Sequence, residues 1–168
     1  VAYIGFRAND DMLLDYSAFE TTIYFIVFNT SWREGTPVTY KMRELSRQQS
    51  YGLSYENNTD GSLFLRYEGK YGEIKLGLPE AIDMSQCNCV EVRLKNEVGD
   101  LAIKLYDKSF NEIDVQYGIR TQGTQSKVLY YSTDEIISGI GIMACDDNLT
   151  DYSQCVTNVE YVMFYMKE

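Results

Sequence analysis

The chain has 168 residues, 45% hydrophobic and 14% aromatic with 15 tyrosines, which is enough apolar material for one packed domain and excludes disorder. A net charge of −10 and a pI near 4.5 repel phosphate backbones and anionic lipids, so nucleic acid is excluded as a partner. An uncharged ligand feels no such penalty, and apolar runs of no more than strand length exclude membrane insertion.

In chain order, the sequence opens at Val1 without Met or a charged-then-apolar leader, and so reads as an excised domain or mature product. The first alternating, β-rich run is Thr21–Phe28, followed by the polar loop Asn29–Glu34 that carries Trp32, the one tryptophan. From Thr36-Pro37 to Arg47 the pattern is ambiguous: a proline-initiated short helix, or a strand through Val38-Thr39-Tyr40. Further strand-like runs are Tyr51–Tyr55, Ser62–Glu68, Tyr71–Leu78, Val90–Lys95 and Leu101–Tyr106. They continue with Glu112–Tyr117, Lys127–Tyr131, Gly139–Ala144 and Val156–Met166. Turn signals separate them, such as Asn57–Gly61, Glu68-Gly69-Lys70, Val98-Gly99-Asp100 and Asp107–Asn111. That rhythm predicts an all-β domain, a sandwich or barrel of antiparallel strands.

Period-two alternation then sorts each strand by face. Ile74, Leu76 and Leu78 point inward, leaving Tyr71, Glu73 and Lys75 on the other side. Leu101, Ile103 and Leu105 oppose Ala102, Lys104 and Tyr106; Ile113, Val115 and Tyr117 oppose Asp114 and Gln116; Val90, Val92 and Leu94 oppose Glu91, Arg93 and Lys95. Neighbouring strands would thus present Tyr, Glu, Lys, Arg and Gln from one face. Sugar rings stack their C–H patches on aromatic faces and need acceptors and donors for their hydroxyls, so this mixture suits a saccharide. The candidate ligand-binding residues are Tyr71 with Glu73, Tyr106, Lys104, Gln116, Trp32 and, on a loop rim, Tyr152. For each, the alternative is structural: a solvated sheet face for Tyr71–Glu73, and a loop-anchoring core residue for Trp32.

No metal or other cofactor is expected. The acidic loop Cys145–Asp151 offers oxygen ligands for calcium but lacks the calcium-loop spacing of an EF-hand, and solvated turns are the competing reading there and at Asn9-Asp10-Asp11. With no His, zinc sites and Ser–His or Cys–His catalysis lose their central residue. Cys145 and Cys155 flank a loop that an oxidising compartment could staple, with buried thiols as the alternative; Cys87 and Cys89 are too close to bond each other. Glycoside hydrolysis needs only two carboxylates, so a small jelly-roll glycoside hydrolase acting on xylan or β-glucan is the alternative function, with Glu73 and Glu160 as the available pair.

The segments Tyr51–Leu63, Gly69–Lys75, Leu78-Pro79, Ile82–Cys87, Ala102–Asp107 and Gly139–Ala144, in that order, resemble jelly-roll carbohydrate-binding modules attached to xylanases of gut Firmicutes. The likeness runs from Tyr51 to Lys167 and is similar to the family 22 and family 86 modules; residues 1–50 have no counterpart in it. The resemblance implies a β-sandwich of two antiparallel sheets forming a single module of residues 1–168. It implies a groove that binds xylan or xylo-oligosaccharide without cutting it, through Tyr71, Glu73 and Tyr106. It further implies a covalently linked catalytic domain, a monomeric state, and secretion or display on a bacterial cell surface.

Overall fold

A computed structural model describes residues 35–168, and Trp32 and the run Thr21–Phe28 lie outside them. The described residues form two antiparallel sheets from eleven strands. These are β1 (Thr36–Lys41), β2 (Ser46–Tyr51), β3 (Leu53–Asn57), β4 (Leu63–Tyr67), β5 (Glu73–Asp83), β6 (Cys87–Lys95), β7 (Leu101–Tyr106), β8 (Glu112–Ile119), β9 (Thr124–Leu129), β10 (Ile136–Ala144) and β11 (Val156–Met166). The six-stranded sheet runs β3-β4-β11-β6-β9, with β1 paired to the far half of β11; the five-stranded sheet runs β2-β5-β10-β7-β8. This is the expected β-sandwich.

The ambiguous stretch before Arg47 resolves as strand, a single 3-10 turn at Met42–Glu44, and strand again. Its Val38 and Tyr40 alternate onto the core, where Tyr40 meets Phe164 edge-on at 6.3 Å. That burial decides against a helix and brings the stretch into the sandwich. The expected run Tyr51–Tyr55 is two strands, because Gly52 at φ +60° turns the chain between β2 and β3.

The core forms where the inward sets meet. Leu63, Leu65, Tyr67, Val90, Val92, Leu94, Val159, Val162 and Phe164 come from one sheet; Ile74, Leu76, Leu101, Ile103, Leu105, Ile140 and Ile142 come from the other. All are essentially inaccessible, and truncating any one of the aliphatics to Ala is expected to cost about 2–5 kcal/mol. Pro79 is tolerated within β5 because its pairing with β10 is interrupted between Gly77 and Ile82, where no N–H is required.

Four turns share one device, Asp-x-Ser. The Oδ1 atoms of Asp60, Asp83, Asp107 and Asp151 accept the backbone N–H of Ser62, Ser85, Ser109 and Ser153 at 2.9, 2.9, 2.7 and 3.0 Å. Part of the acidity of the chain is therefore used in making turns. One polar node lies fully buried: Asn96 donates from Nδ2 to Gly99 O at 2.7 Å, and accepts from Thr157 Oγ1 at 2.8 Å. Its own N–H donates to Thr121 Oγ1 at 2.7 Å.

Candidate functional site

The outer face of the five-stranded sheet collects a polar and aromatic band from all five strands. Register places Tyr51 opposite Glu73, and Gln49 opposite Lys75. Lys75 and Lys104 both lie opposite Gly141, and Tyr106 opposite Gly139. At about 4.8 Å per strand the band spans roughly 19 Å.

Its centre is Glu73, only 1% exposed. A buried carboxylate must be fully hydrogen-bonded. Tyr51 donates to Oε2 at 2.6 Å, Tyr106 donates to Oε1, and the Lys104 ammonium lies 3.8 Å from Oε2. Lys104 also reaches Glu112 at 2.9 Å. Two carboxylates and two ammonium groups, Glu73, Glu112, Lys75 and Lys104, leave the band charge-balanced. Desolvation and the bond to Glu73 push the Tyr51 phenol up to about 12, and the same two causes push Tyr106 higher still. Burial alone would lower the Lys104 pKa, but Glu112 and Glu73 outweigh it and the net direction is upward. Tyr51, Tyr106 and Lys104 thus keep their protons at neutral pH.

Two glycines decide how the rings lie. A Cβ on Gly141 would fall 2.4 Å from Glu73 Oε1 and 2.6 Å from Tyr106 Cε2; one on Gly139 would fall 2.6 Å from Phe110 Cε1. Contacts that short do not occur, so only glycine lets Tyr106 and Phe110 lie down across β10. Their rings are 6.0 Å apart and tilted by 35°. Phe110, at φ +59° in the β7–β8 turn, is aimed back over the sheet by that unusual backbone. Lys75 completes the centre: its ammonium lies 4.5 Å from the Tyr106 centroid and 3.4 Å from the Phe110 carbonyl. Open aromatic surface remains at the two ends, Tyr51 at 44% exposed and Tyr117 at 61%. Tyr117 follows Gln116 on β8 and so alternates to the same outer face as Val115, which opposes Lys104.

The structure brings Glu73, Lys104 and Tyr106 together, but Tyr106 is only 2% exposed, because Lys75, Phe110 and Gly141 surround it. Tyr71 is a correction. It precedes β5 in a turn at φ +66°, which breaks strand alternation, and its exposed ring packs on Lys70 at 4.5 Å. Gln116 is also a correction. Extra residues in β8 relative to β7 shift its register so that Gln116 opposes Ile103 and Asp114 opposes Leu105, on the inner side. Gln116 donates to Tyr130 O at 2.7 Å, and Asp114 accepts Ser132 N–H at 2.9 Å. Tyr152 is buried at 8% exposure, its hydroxyl donating to Asp146 O, so it forms no open rim. Sequence reading put Lys75 on this face without naming it as a ligand residue, and missed Tyr51, Phe110, Glu112 and Tyr117; the alternation Gly139-Ile140-Gly141-Ile142 was the available signal, since glycines on one face of a strand mark close approach.

A depression of about 640 Å³ lies among loops, lined by Glu97, Gly99, Asp100, Arg120, Asp146 and Asn148. It is charged and has no aromatic lining. Arg120 reaches Asp100 at 3.0 Å and Asp146 at 2.6 Å, and Asp146 also accepts Asn148 N–H at 2.9 Å. The guanidinium thus occupies Asp146 Oδ2, while of the other carboxylates considered for calcium Asp147 pairs with Lys70 and Asp151 accepts from Ser153; among the described residues no group of three or more His, Cys, Asp or Glu side chains is placed to hold a metal ion. Cys145 and Cys155 are not joined; their thiols face Asp100 O at 3.5 Å and Asn96 Oδ1 at 3.8 Å.

No protein-family model matches the chain, and no curated protein does. Solved structures do. A low-affinity xylan-binding module of family 86 from the gut symbiont Roseburia intestinalis aligns at TM-score 0.68 and 24% identity, over 79% of this chain and 97% of that one. A family 29 carbohydrate-binding module complexed with cellulohexaose aligns at TM-score 0.57 and 12% identity, over 78% and 92%. Another family 29 structure gives TM-score 0.59 and 11% identity, over 79% and 90%. At these identities the likeness establishes the sandwich fold.

Proposed function

We propose that the chain is a non-catalytic carbohydrate-binding module whose five-stranded face holds xylan. The observation that carries this is the band itself: tyrosine rings fixed by a buried carboxylate, beside a charge-balanced set of donors and acceptors. An uncharged polymer of pyranose rings is what such a surface complements, with stacking on the Tyr51 and Tyr117 rings and hydroxyls satisfied by Gln49, Lys104 and Glu112. Xylan is favoured because the neighbour of family 86 binds it. In this reading the module is monomeric, needs no cofactor, and is covalently linked to a secreted or cell-surface bacterial xylanase that it keeps on its substrate. A solvent-exposed face strips little water from its ligand, so retention on the polymer rests on avidity with neighbouring modules.

The hydrolase alternative is disfavoured by geometry. Glu73 faces outward from one sheet, while Glu160 sits on β11 of the other, paired with Arg93 at 2.8 Å. Packed sheets are about 10 Å apart before outward side chains are added, and acid–base pairs stand no more than about 9.5 Å apart. Affinity electrophoresis across plant polysaccharides, with calorimetry on xylohexaose, tests the proposal. Retardation by xylan without release of reducing ends is expected; no retardation by any glycan overturns it.

A further inference from the structure

The ring best placed to form the floor of the band is not available as it stands. One face of Tyr106 rests over Gly141, where even a Cβ would collide with Cε2, and its hydroxyl is committed to Glu73. The Lys75 ammonium, 4.5 Å from the centroid, is anchored by the Phe110 carbonyl at 3.4 Å. Around it stand groups of the band: the Tyr106 ring and the Phe110 carbonyl, with Gln49 opposite Lys75 on β2 and Lys104 across Gly141 on β7. Of the elements burying Tyr106, the sheet backbone and the Phe110 turn are fixed, whereas Lys75 is a four-carbon chain on a partly exposed position.

We infer that Lys75 is an internal occupant of the sugar-stacking face of Tyr106, and that glycan binding proceeds by displacing it. The inference rests on the reading of this face as a saccharide site and adds an affinity-determining residue to it. The cation–π contact and a pyranose C–H patch use the same ring face, so the two are mutually exclusive. The free module therefore loses its own contact whenever it takes a ligand. A displaced ammonium, still tethered at β5, can then donate to a sugar hydroxyl, so the exchange costs less than it would with a neutral lid.

The test is calorimetry with xylohexaose on the full chain, with NMR of the Lys75 methylene protons. Lys75→Ala is expected to bind about two- to fivefold tighter, the range of an exposed cation–π contact. The gain should vanish in a Tyr106→Leu background, which keeps bulk in place of the ring. In the wild type the Lys75 methylenes should be ring-current shifted upfield and return to ordinary values on saturation with xylohexaose. Weaker or unchanged binding by Lys75→Ala overturns the displacement model while leaving the saccharide site standing. Absence of xylohexaose binding in the wild type, with the upfield shift intact, removes the site itself and the model with it.

Discussion

Both sheets carry the same polar device on their outer faces, yet only one makes a flat platform of it. On the five-stranded sheet, Glu73 is clamped by the hydroxyls of Tyr51 and Tyr106. On the six-stranded sheet, Glu91, 4% exposed, accepts from Tyr161 at 2.9 Å and Tyr165 at 3.2 Å. The difference lies in the strand at the centre. β10 presents Gly139 and Gly141, so rings from β7 and its turn lie across it; β11 presents Tyr161, Met163 and Tyr165, whose side chains rise from the strand itself. A pair of missing side chains, more than the presence of tyrosines, separates the candidate site from its counterpart.

The sharpest way to break this comparison is at the carboxylates. Glu73→Leu leaves two phenols and Lys104 without their acceptor and should cost about 3–5 kcal/mol in urea unfolding, with loss of xylan retardation. Glu91→Leu should lower stability to a similar order and leave xylohexaose affinity unchanged. Next is the glycine floor: Gly141→Ala should cost about 1–3 kcal/mol and weaken xylohexaose about tenfold by calorimetry, since Tyr106 and Glu73 must both move. Met163→Ala is its control and should bind as the wild type does. Smaller effects are expected at the open rings, where Tyr51→Ala should weaken binding toward the upper end, and Tyr117→Ala toward the lower end, of about two- to tenfold.

The gentlest test is pH. The unfolded Tyr51 phenol titrates near 10 and the folded one near 12. Its stabilisation is therefore complete below pH 10 and is lost as pH rises from 10 through 12. Tyr106 shifts in the same direction, so the loss continues beyond that window. Thermal melts should be insensitive to these phenols up to pH 9 and fall above 10, with Glu73→Gln narrowing the fall.

Where strands alternate without interruption, the sequence could be read directly. The outward positions of Glu73, Lys75, Lys104 and Tyr106 follow from the apolar residues between them. Reading failed where the backbone departs from alternation. Tyr71 sits in a left-handed turn, and the extra residues of β8 slide Gln116 to the inner side. It also failed on exposure, because facing outward does not make a ring accessible: Tyr106 points away from the core and is covered all the same. Tyr152 shows the reverse error, a loop residue whose ring is drawn inward by a bond to its own loop.

Among the described residues β11 alone pairs with three strands, meeting β1 and β4 along one side and β6 on the other. It also follows all of them in the chain. While the polypeptide is being synthesised, β1, β4 and β6 must emerge from the ribosome and wait, their edges unpaired, until Val156–Met166 arrives to join them. The five-stranded half has its last strand, β10, some twenty residues earlier. Assembly should accordingly be late and all at once for one half of the molecule, and it is during that interval that exposed edges are open to pairing with another nascent chain.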